Sequence, residues 1–354
     1  MVRAAPIPPP SPAPAAACNV LAAAASGVIG FIERQGGNAE TVLNRAAIDI
    51  SWLTDPTLPL DLAAYVQMME EAATQTGNGN FGLWFGQQFQ PQDLGLIGGV
   101  TLAAPTLVSA LEALADLFPY HQQVTHTACR HAGGMVALEY RILDGAILAR
   151  RQDAELTMGM FVNVLRYVFG PAWAPEEVHF EHPQPEQAQE HERAFRAPIH
   201  WGQRTNALIF KRPSEGIAMP GADLRAMDRL RGQLIQAARG SAGDVPLIRR
   251  VQAEIRSRLV DGPPYIEEVA DALGLRRWTL QRCLADEGVS FSDLVEGVRH
   301  QLARLYVERT HVPLADIACL LGYSEISAFS RAFTRWYALP PRQFRAQAAA
   351  RGFR

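Results

Sequence analysis

The chain has 354 residues, 48% of them hydrophobic, with 36 acidic against 33 basic side chains and a formal net charge of −3. Its length and apolar content exclude a disordered or fibrous chain and suit two or three packed domains. No run of about 18 apolar residues is present to span a membrane as a helix.

Charge and cysteine placement narrow the classes further. Residues 247–354 carry 16 Arg against 12 acidic side chains, a balance of +4, while residues 1–246 carry 17 basic against 24 acidic, a balance of −7. A basic end on an acidic body fits a nucleic-acid reader attached to a module with another task. Lys211 is the sole lysine. Guanidinium forks suit paired contacts to phosphate and guanine, although a compositional bias, visible also in the abundant alanine, produces the same skew. Cys18, Cys129, Cys283 and Cys319 lie far apart without a CxxC pair, so neither a zinc ribbon nor a disulfide framework is expected, and a reducing cytoplasm is the expected location.

In chain order, residues 1–25 are expected to be a disordered tail. The stretch MVRAAPIPPPSPAPAAA is Pro/Ala low-complexity, and the alanine run with Cys18 lacks the basic start of an export signal. Residues 26–238 are expected to form one domain. An apolar helical period runs through Val28, Ile29, Ile32, Val42 and Leu43, and a second through Leu62, Tyr65, Val66 and Met69; Gly77 to Gly86 then reads as a break. A helix at Thr106–Phe118 precedes strands at Val124–Ala128 and Met135–Tyr140, joined across Gly133–Gly134. Another helix follows at Ala154–Val168, and then strands at Val178–Glu181, Ile199–Trp201 and Ala207–Phe210. Helices mixed with short antiparallel strands predict an α+β domain. A charged amphipathic helix at Leu224–Gln236 leads into the polar linker 239–246; residues 247–347 are expected to be all-α, followed by a short tail at 348–354.

Within that last domain one pattern occurs twice. Ile266–Leu273 reads as a short amphipathic helix ended by Gly274, and Arg276–Asp286 as the helix after the turn. About 48 residues on, Leu314–Leu321, Gly322 and Ser324–Trp336 repeat it, with Ser324 placed to cap the second of these helices. A helix over Ser292–Glu308 joins the units. Helix, tight turn and helix is the arrangement that sets a second helix into a major groove, so the chain is expected to occupy two successive grooves of double-stranded promoter DNA.

Ile266 to Arg345, with the closing LPPRQFR at Leu339–Arg345, resembles the DNA-binding domain of the AraC/XylS family. The resemblance implies that Trp278, Gln281 and Arg282 on the first reading helix face the bases, with Ile326, Ser327, Ser330 and Arg331 on the second. Helical geometry agrees, because positions 278, 281, 282 and 285 share a face opposite Leu280 and Leu284. Gln281 suits adenine and Arg282 guanine; Arg276, Arg277, Thr279 and Arg335 are candidates for phosphate. Two plainer readings stand beside these: Trp278 as a core anchor, and Arg282 as the ion-pair partner of Asp286. Ile326 can offer only apolar contact, so stricter base reading is expected from the first unit and more use of DNA shape by the second.

Residues 26 to 212 resemble, more loosely, the arabinose-binding-like effector domain of one branch of that family, on Phe81–Leu83, Asp93–Gly95, Ala104–Thr106, Arg150–Asp153 and Asn206–Phe210. His121, Arg150, Arg151, His200 and Trp201 are the candidates for its pocket; Arg150 and Arg151 suit a carboxylate or phosphate ligand, or ion pairs with Asp153 and Glu155. His121, His126 and His131 recur near Cys129, but at most His121, Cys129 and His131 can converge on a strand, and no metal or cofactor is expected. No nucleophile elbow, Walker loop or dinucleotide fingerprint appears. The expectation is a non-enzymatic, effector-controlled transcription activator that meets RNA polymerase and can form a homodimer. A ligand-independent architectural protein and an enzyme fused to a DNA reader are the alternatives.

Overall fold

A computed structural model describes residues 18–239 and 245–352. The tail expected over residues 1–25 divides there. Residues 1–17 lie outside the described part, whereas 18–25 are buried: Asn19–Leu21 is strand β1, and the small side chains of Ala22–Ala25 let a tight helical turn sink into the core. The low-complexity composition that suggested a solvated tail is, over these eight residues, a close-packing device.

Helices α1 (Val28–Arg34) and α2 (Ala39–Arg45) follow, then β2 (Pro59–Asp61), which pairs antiparallel with β1. Next come α3 (Leu62–Thr76), α4 (Phe81–Gln88), α5 (Gly95–Ala103) and α6 (Leu107–His121). Asp61 caps α3 by accepting from Ala64 N at 2.8 Å, and Gly77 closes it with φ 63°. The glycine-containing stretch read as a break is a turn over residues 77–80, and from Phe81 it is helix α4. Its glycines exist for close approach: a Cβ at Gly86 would stand 2.7 Å from the Leu156 carbonyl oxygen, and one at Gly159 would stand 2.8 Å from the Gly86 carbonyl carbon. Helix α4 thus lies directly on α7 (Arg151–Phe169), whose residues 152–165 are all buried.

The hairpin is β3 (Thr125–Ala132) and β4 (Met135–Ile142). Beyond α7 lie β5 (Glu177–His179), α8 (Gln189–Phe195), β6 (Ile199–His200), β7 (Asn206–Lys211) and α9 (Leu224–Arg239). The five-stranded sheet has the order β3-β4-β7-β5-β6, antiparallel except for β5 with β6, which run parallel. Alternation sets its inner face: Val136, Leu138, Tyr140 and Ile142 of β4 are buried and the residues between them are not. Phe118, Tyr140 and Phe161 meet edge to face beneath it, with ring centroids 5.5–6.4 Å apart. This is the expected α+β domain.

The second domain is all-α: α10 (Leu247–Arg258), α11 (Ile266–Ala272), α12 (Arg277–Asp286), α13 (Phe291–Arg309), α14 (Leu314–Leu320), α15 (Ile326–Tyr337) and α16 (Pro341–Gly352). The final tail expected from residue 348 is the last turn of α16. Most of the expected linker 239–246 lies outside the described residues. Helix α13 opens on a reciprocal cap between Ser290 and Asp293 and runs 19 residues, slightly longer than expected. Its Leu294, Val298, Leu302 and Tyr306 anchor a core that joins Leu280 and Leu284 on one side to Phe329 and Phe333 on the other.

Helix α10 faces both domains. Val251 and Ile255 enter the all-α core, whereas the buried Arg256 reaches back to the loop after β4 and donates to the carbonyls of Leu148 (2.9 Å) and Ile147 (3.3 Å). Arg141 on β4 pairs with Glu254 at 2.7 Å, and Gly145 N donates to the Arg249 carbonyl at 3.1 Å.

Candidate nucleic-acid interface

Both helix-turn-helix units are built on the same backbone device. Gly274 (φ 68°) and Gly322 (φ 72°) adopt the left-handed conformation after their helices, and the next residue reaches back: Leu275 N donates to the Ala270 carbonyl and Tyr323 N to the Ala318 carbonyl, each at 2.9 Å. A left-handed residue at this place satisfies the end carbonyls of the helix and turns the chain sharply, which is why glycine stands there twice.

In the first unit Arg276 takes an extended backbone and α12 begins at Arg277. Leu280 and Leu284 are buried; Trp278, Gln281, Arg282 and Ala285 form the exposed face. Trp278 is 55% exposed, which sets aside its reading as a core anchor. The Arg282 guanidinium lies over the Trp278 ring, 5.5 Å from its centroid, and among the described residues it makes no ion pair with Asp286. An exposed indole that stacks a guanidinium holds its fork out toward solvent at little entropic cost. Arg276 is exposed and Thr279 half-buried. Arg277 pairs with Glu267 at 2.7 Å; both are exposed, so this pair is worth about 0–1 kcal/mol and yields readily to a phosphate.

The second reading helix starts later than expected. Ser324 is not its cap: the extended Glu325 takes that place before the first helical residue, Ile326, and accepts from Ser327 Oγ at 2.9 Å. Phe329, Ala332 and Phe333 are buried, and Ile326 (45% exposed), Ser327 and Arg331 face outward with Ser330 half-buried beside them. Arg335 pairs with Glu296 of α13 at 2.6 Å, and Trp336 Nε1 donates to the same carboxylate at 3.0 Å. A cleft of about 470 Å³ opens here between α13 and α15, bordered by Pro263, Pro264, Arg299, Arg331 and Arg335. Arg299 is fixed within it, donating to the Leu321 and Gly322 carbonyls at 2.9 and 3.1 Å and lying 4.7 Å from the Tyr323 ring centroid.

Among the described residues the five effector-pocket candidates are spread over the end of α6, the start of α7 and the β6 edge. His121 is fully buried at the end of α6, and burial pushes its imidazole down to about 4. The space beside it holds about 10 Å³, room for one water at most. Arg150 is likewise buried and spent internally, donating to both oxygens of Glu181 at 2.6 and 2.8 Å. Arg151 pairs with Glu155 at 2.6 Å, one of the partners its spacing allowed; Asp153 instead accepts from Tyr140 Oη at 2.5 Å. His200 is exposed on β6 against Glu177. The metal trio that a strand would permit is not assembled among the described residues: Cys129 Sγ and His131 Nε2 lie 3.8 Å apart on the face of β3 that stands opposite Leu138 and Val136, and His121 does not converge with them.

Arg151 and Trp201 do meet in a cluster that sequence reasoning missed. Glu155 also accepts from His191 Nε2 at 2.8 Å, with His182 Nε2 at 3.5 Å, and both imidazoles lie against Trp201, which stacks on Phe180. Burial by itself would raise the Glu155 carboxyl, but Arg151 and the two histidines outweigh it and hold it below the usual carboxylate range. The two histidines lie 27 and 36 positions beyond Glu155 in the chain, so no local spacing signals them.

Comparison with known proteins adds the following. Residues 36–214 match the family described as the arabinose-binding domain of AraC transcription regulator, N-terminal, and residues 269–347 match a helix-turn-helix domain family. The chain is 30% identical over 303 residues to the HTH-type transcriptional regulator VirS of Mycobacterium tuberculosis, covering 83% of this chain and 86% of that one. It is 24% identical over 338 residues to the ornithine utilization regulator of Pseudomonas aeruginosa, covering 91% and 94%. Among solved structures, the transcriptional regulator CdpR of Pseudomonas aeruginosa covers 89% of this chain and 98% of its own, at 20% identity and a TM-score of 0.40.

Proposed function

Because the chain belongs to the AraC family of transcription regulators, with an N-terminal ligand-binding domain and a C-terminal helix-turn-helix domain, we propose that it reads its operator through α12 and α15 with unequal stringency. The observation that carries this reading is the outward face of α12. An indole, an amide and a guanidinium stand exposed there above buried Leu280 and Leu284, the indole and the guanidinium stacked on each other. Gln281 then pairs with adenine and Arg282 with guanine. Helix α15 offers Ile326, Ser327 and Ser330 with one guanidinium, Arg331, which supports apolar and backbone contact. Arg276, Arg277 and Thr279 take phosphate, as does Arg335 once it leaves Glu296.

Control by an effector has a physical route in α10. Strand β4 and the loop after it belong to the ligand-binding domain, and Arg256, Glu254 and Arg249 tie them to the helix that underlies the DNA-reading core. Recruitment of RNA polymerase as an activator and pairing of two copies belong to the same proposal; α9 buries Leu234 and leaves Leu224 exposed for such a contact.

Binding titrations on cognate and random DNA at several salt concentrations test the reading. Arg282→Ala lowers cognate affinity by about 1–3 kcal/mol and spares random DNA, whereas Arg276→Ala weakens both and reduces the salt slope by about one. Equal losses on both DNAs for Arg282→Ala would remove its base-reading role.

A further inference from the structure

At the far edge of the five-stranded sheet, β5 and β6 run parallel with His179 and His200 in register. Glu177 precedes His179 by two residues, so strand alternation sets it on the same face. Glu177 Oε1 lies 3.1 Å from His179 Nε2, and Oε2 lies 3.0 Å from His200 Nε2. One ligand atom from each side chain falls within 4.8 Å of the other two. The imidazoles meet edge to face with centroids 5.1 Å apart. Glu177 and His179 are half-buried and His200 is exposed, which leaves the cluster open to solvent on one side.

We propose that Glu177, His179 and His200 form a binding site for a divalent transition-metal ion of the zinc type, with water in the open coordination position. The donor set decides the class of ion. Two imidazoles and one carboxylate suit zinc and its first-row neighbours, while calcium and magnesium favour oxygen alone. The geometry is assembled by backbone, since two adjacent strands in fixed register bring all three groups together. Both imidazoles already aim Nε2 at a single carboxylate, and in the tautomer protonated on Nδ1 those same atoms present lone pairs to the space they share.

The ion would also do structural work. Only two residue pairs join β5 to β6, and the segment between them carries Phe180, His182, α8 and His191, which pack against Trp201 just beyond β6. Linking His179 to His200 closes that segment at its two ends, so an ion that binds the folded state raises its stability.

The test uses the full-length chain, stripped with a chelator and dialysed. Calorimetric titration with Zn²⁺ is expected to show one ion bound per chain, with a raised unfolding temperature. Co²⁺ is expected to give ligand-field bands without a thiolate charge-transfer band. In the His179→Gln/His200→Gln double variant affinity falls by more than about tenfold, the loss that changes merely beside a metal ligand already cause, and the thermal shift disappears. If circular dichroism shows that the double variant misfolds, His200→Gln alone, at the most exposed of the three positions, must show the same loss. The proposal is overturned if the parent chain binds no Zn²⁺ stoichiometrically or if the variants bind as tightly as the parent. A thiolate band with Co²⁺ overturns it as well, because that places the ion at one of the free cysteines instead.

Discussion

Asp153 shows how a single buried side chain contributes to the pH response of the ligand-binding domain. It stands in α7 with Tyr140 donating to one oxygen at 2.5 Å, while its other oxygen is buried without a partner. Burial pushes its carboxyl up to about 7, against the hydrogen bond from Tyr140 that pulls it down. An unfolded Asp loses its proton near pH 4. Between pH 4 and 7 the folded chain therefore holds a proton that the unfolded chain has released, and this group's contribution to stability falls as pH rises through that window. Asp153→Asn keeps an acceptor for Tyr140 and carries no charge. It should gain stability relative to the parent on going from pH 4.5 to pH 8, by at most about 4 kcal/mol, the equivalent of the whole shift. Denaturant melts at the two pH values check this, and an equal difference at both would refute it. His121 and His182, each pushed down to about 4 by burial, act in the opposite sense below pH 6.5, so the comparison must be between variant and parent at each pH.

Among the elements, the two helix-turn-helix turns look alike in sequence and differ in surroundings. A Cβ at Gly274 would meet nothing within 4 Å, whereas one at Gly322 would stand 2.6 Å from the Gly262 carbonyl oxygen and 2.9 Å from that of Leu259. Gly274→Ala should cost about 1–2 kcal/mol, the strain of a left-handed alanine. Gly322→Ala should cost about 1–3 kcal/mol more, because backbone has to move; thermal melts of the two variants rank them, and equal costs would contradict the packing account. The elements also differ in how legible they are in the sequence. Short amphipathic helices separated by glycine, with Leu280 and Leu284 opposite Trp278, Gln281 and Arg282, announce themselves at helical period, and the strands of the hairpin do so at period two. The start of α15 does not, because Ser324 looks like a cap and the backbone extends one residue past it. Helix α4 is hidden as well, since Gly82 and Gly86 read as breakers until the partner helix that needs them is known. The Glu155, His182 and His191 cluster has no local signature at all; only the sheet and α8 bring it together.

On the scale of the whole molecule, an acidic ligand-binding body meets a basic reader through the two-faced helix α10 and through side-chain pairs such as Arg204 with Asp261 and His311 with Glu186. The charge split of −7 and +4 is visible in the sequence; the part played by α10 is not, because Glu254 and Arg256 look like the solvent side of an amphipathic helix until the loop after β4 is placed on them. Helix α13, 19 residues and about 28 Å long, spaces the two reading units. That length suits successive major grooves roughly 34 Å apart once the width of the units is added. No helix among the described residues is long and apolar enough to cross a membrane.

Hydroxyl-radical footprinting of the full-length chain on a DNA site selected from a random pool tests the two-headed reading most directly. The account predicts two protected patches on one face of the duplex, centred about 10 base pairs apart. It also predicts that the triple variant Trp278→Ala/Gln281→Ala/Arg282→Ala loses one patch and keeps the other. A single patch from the parent chain, or both patches unchanged in the triple variant, would contradict it.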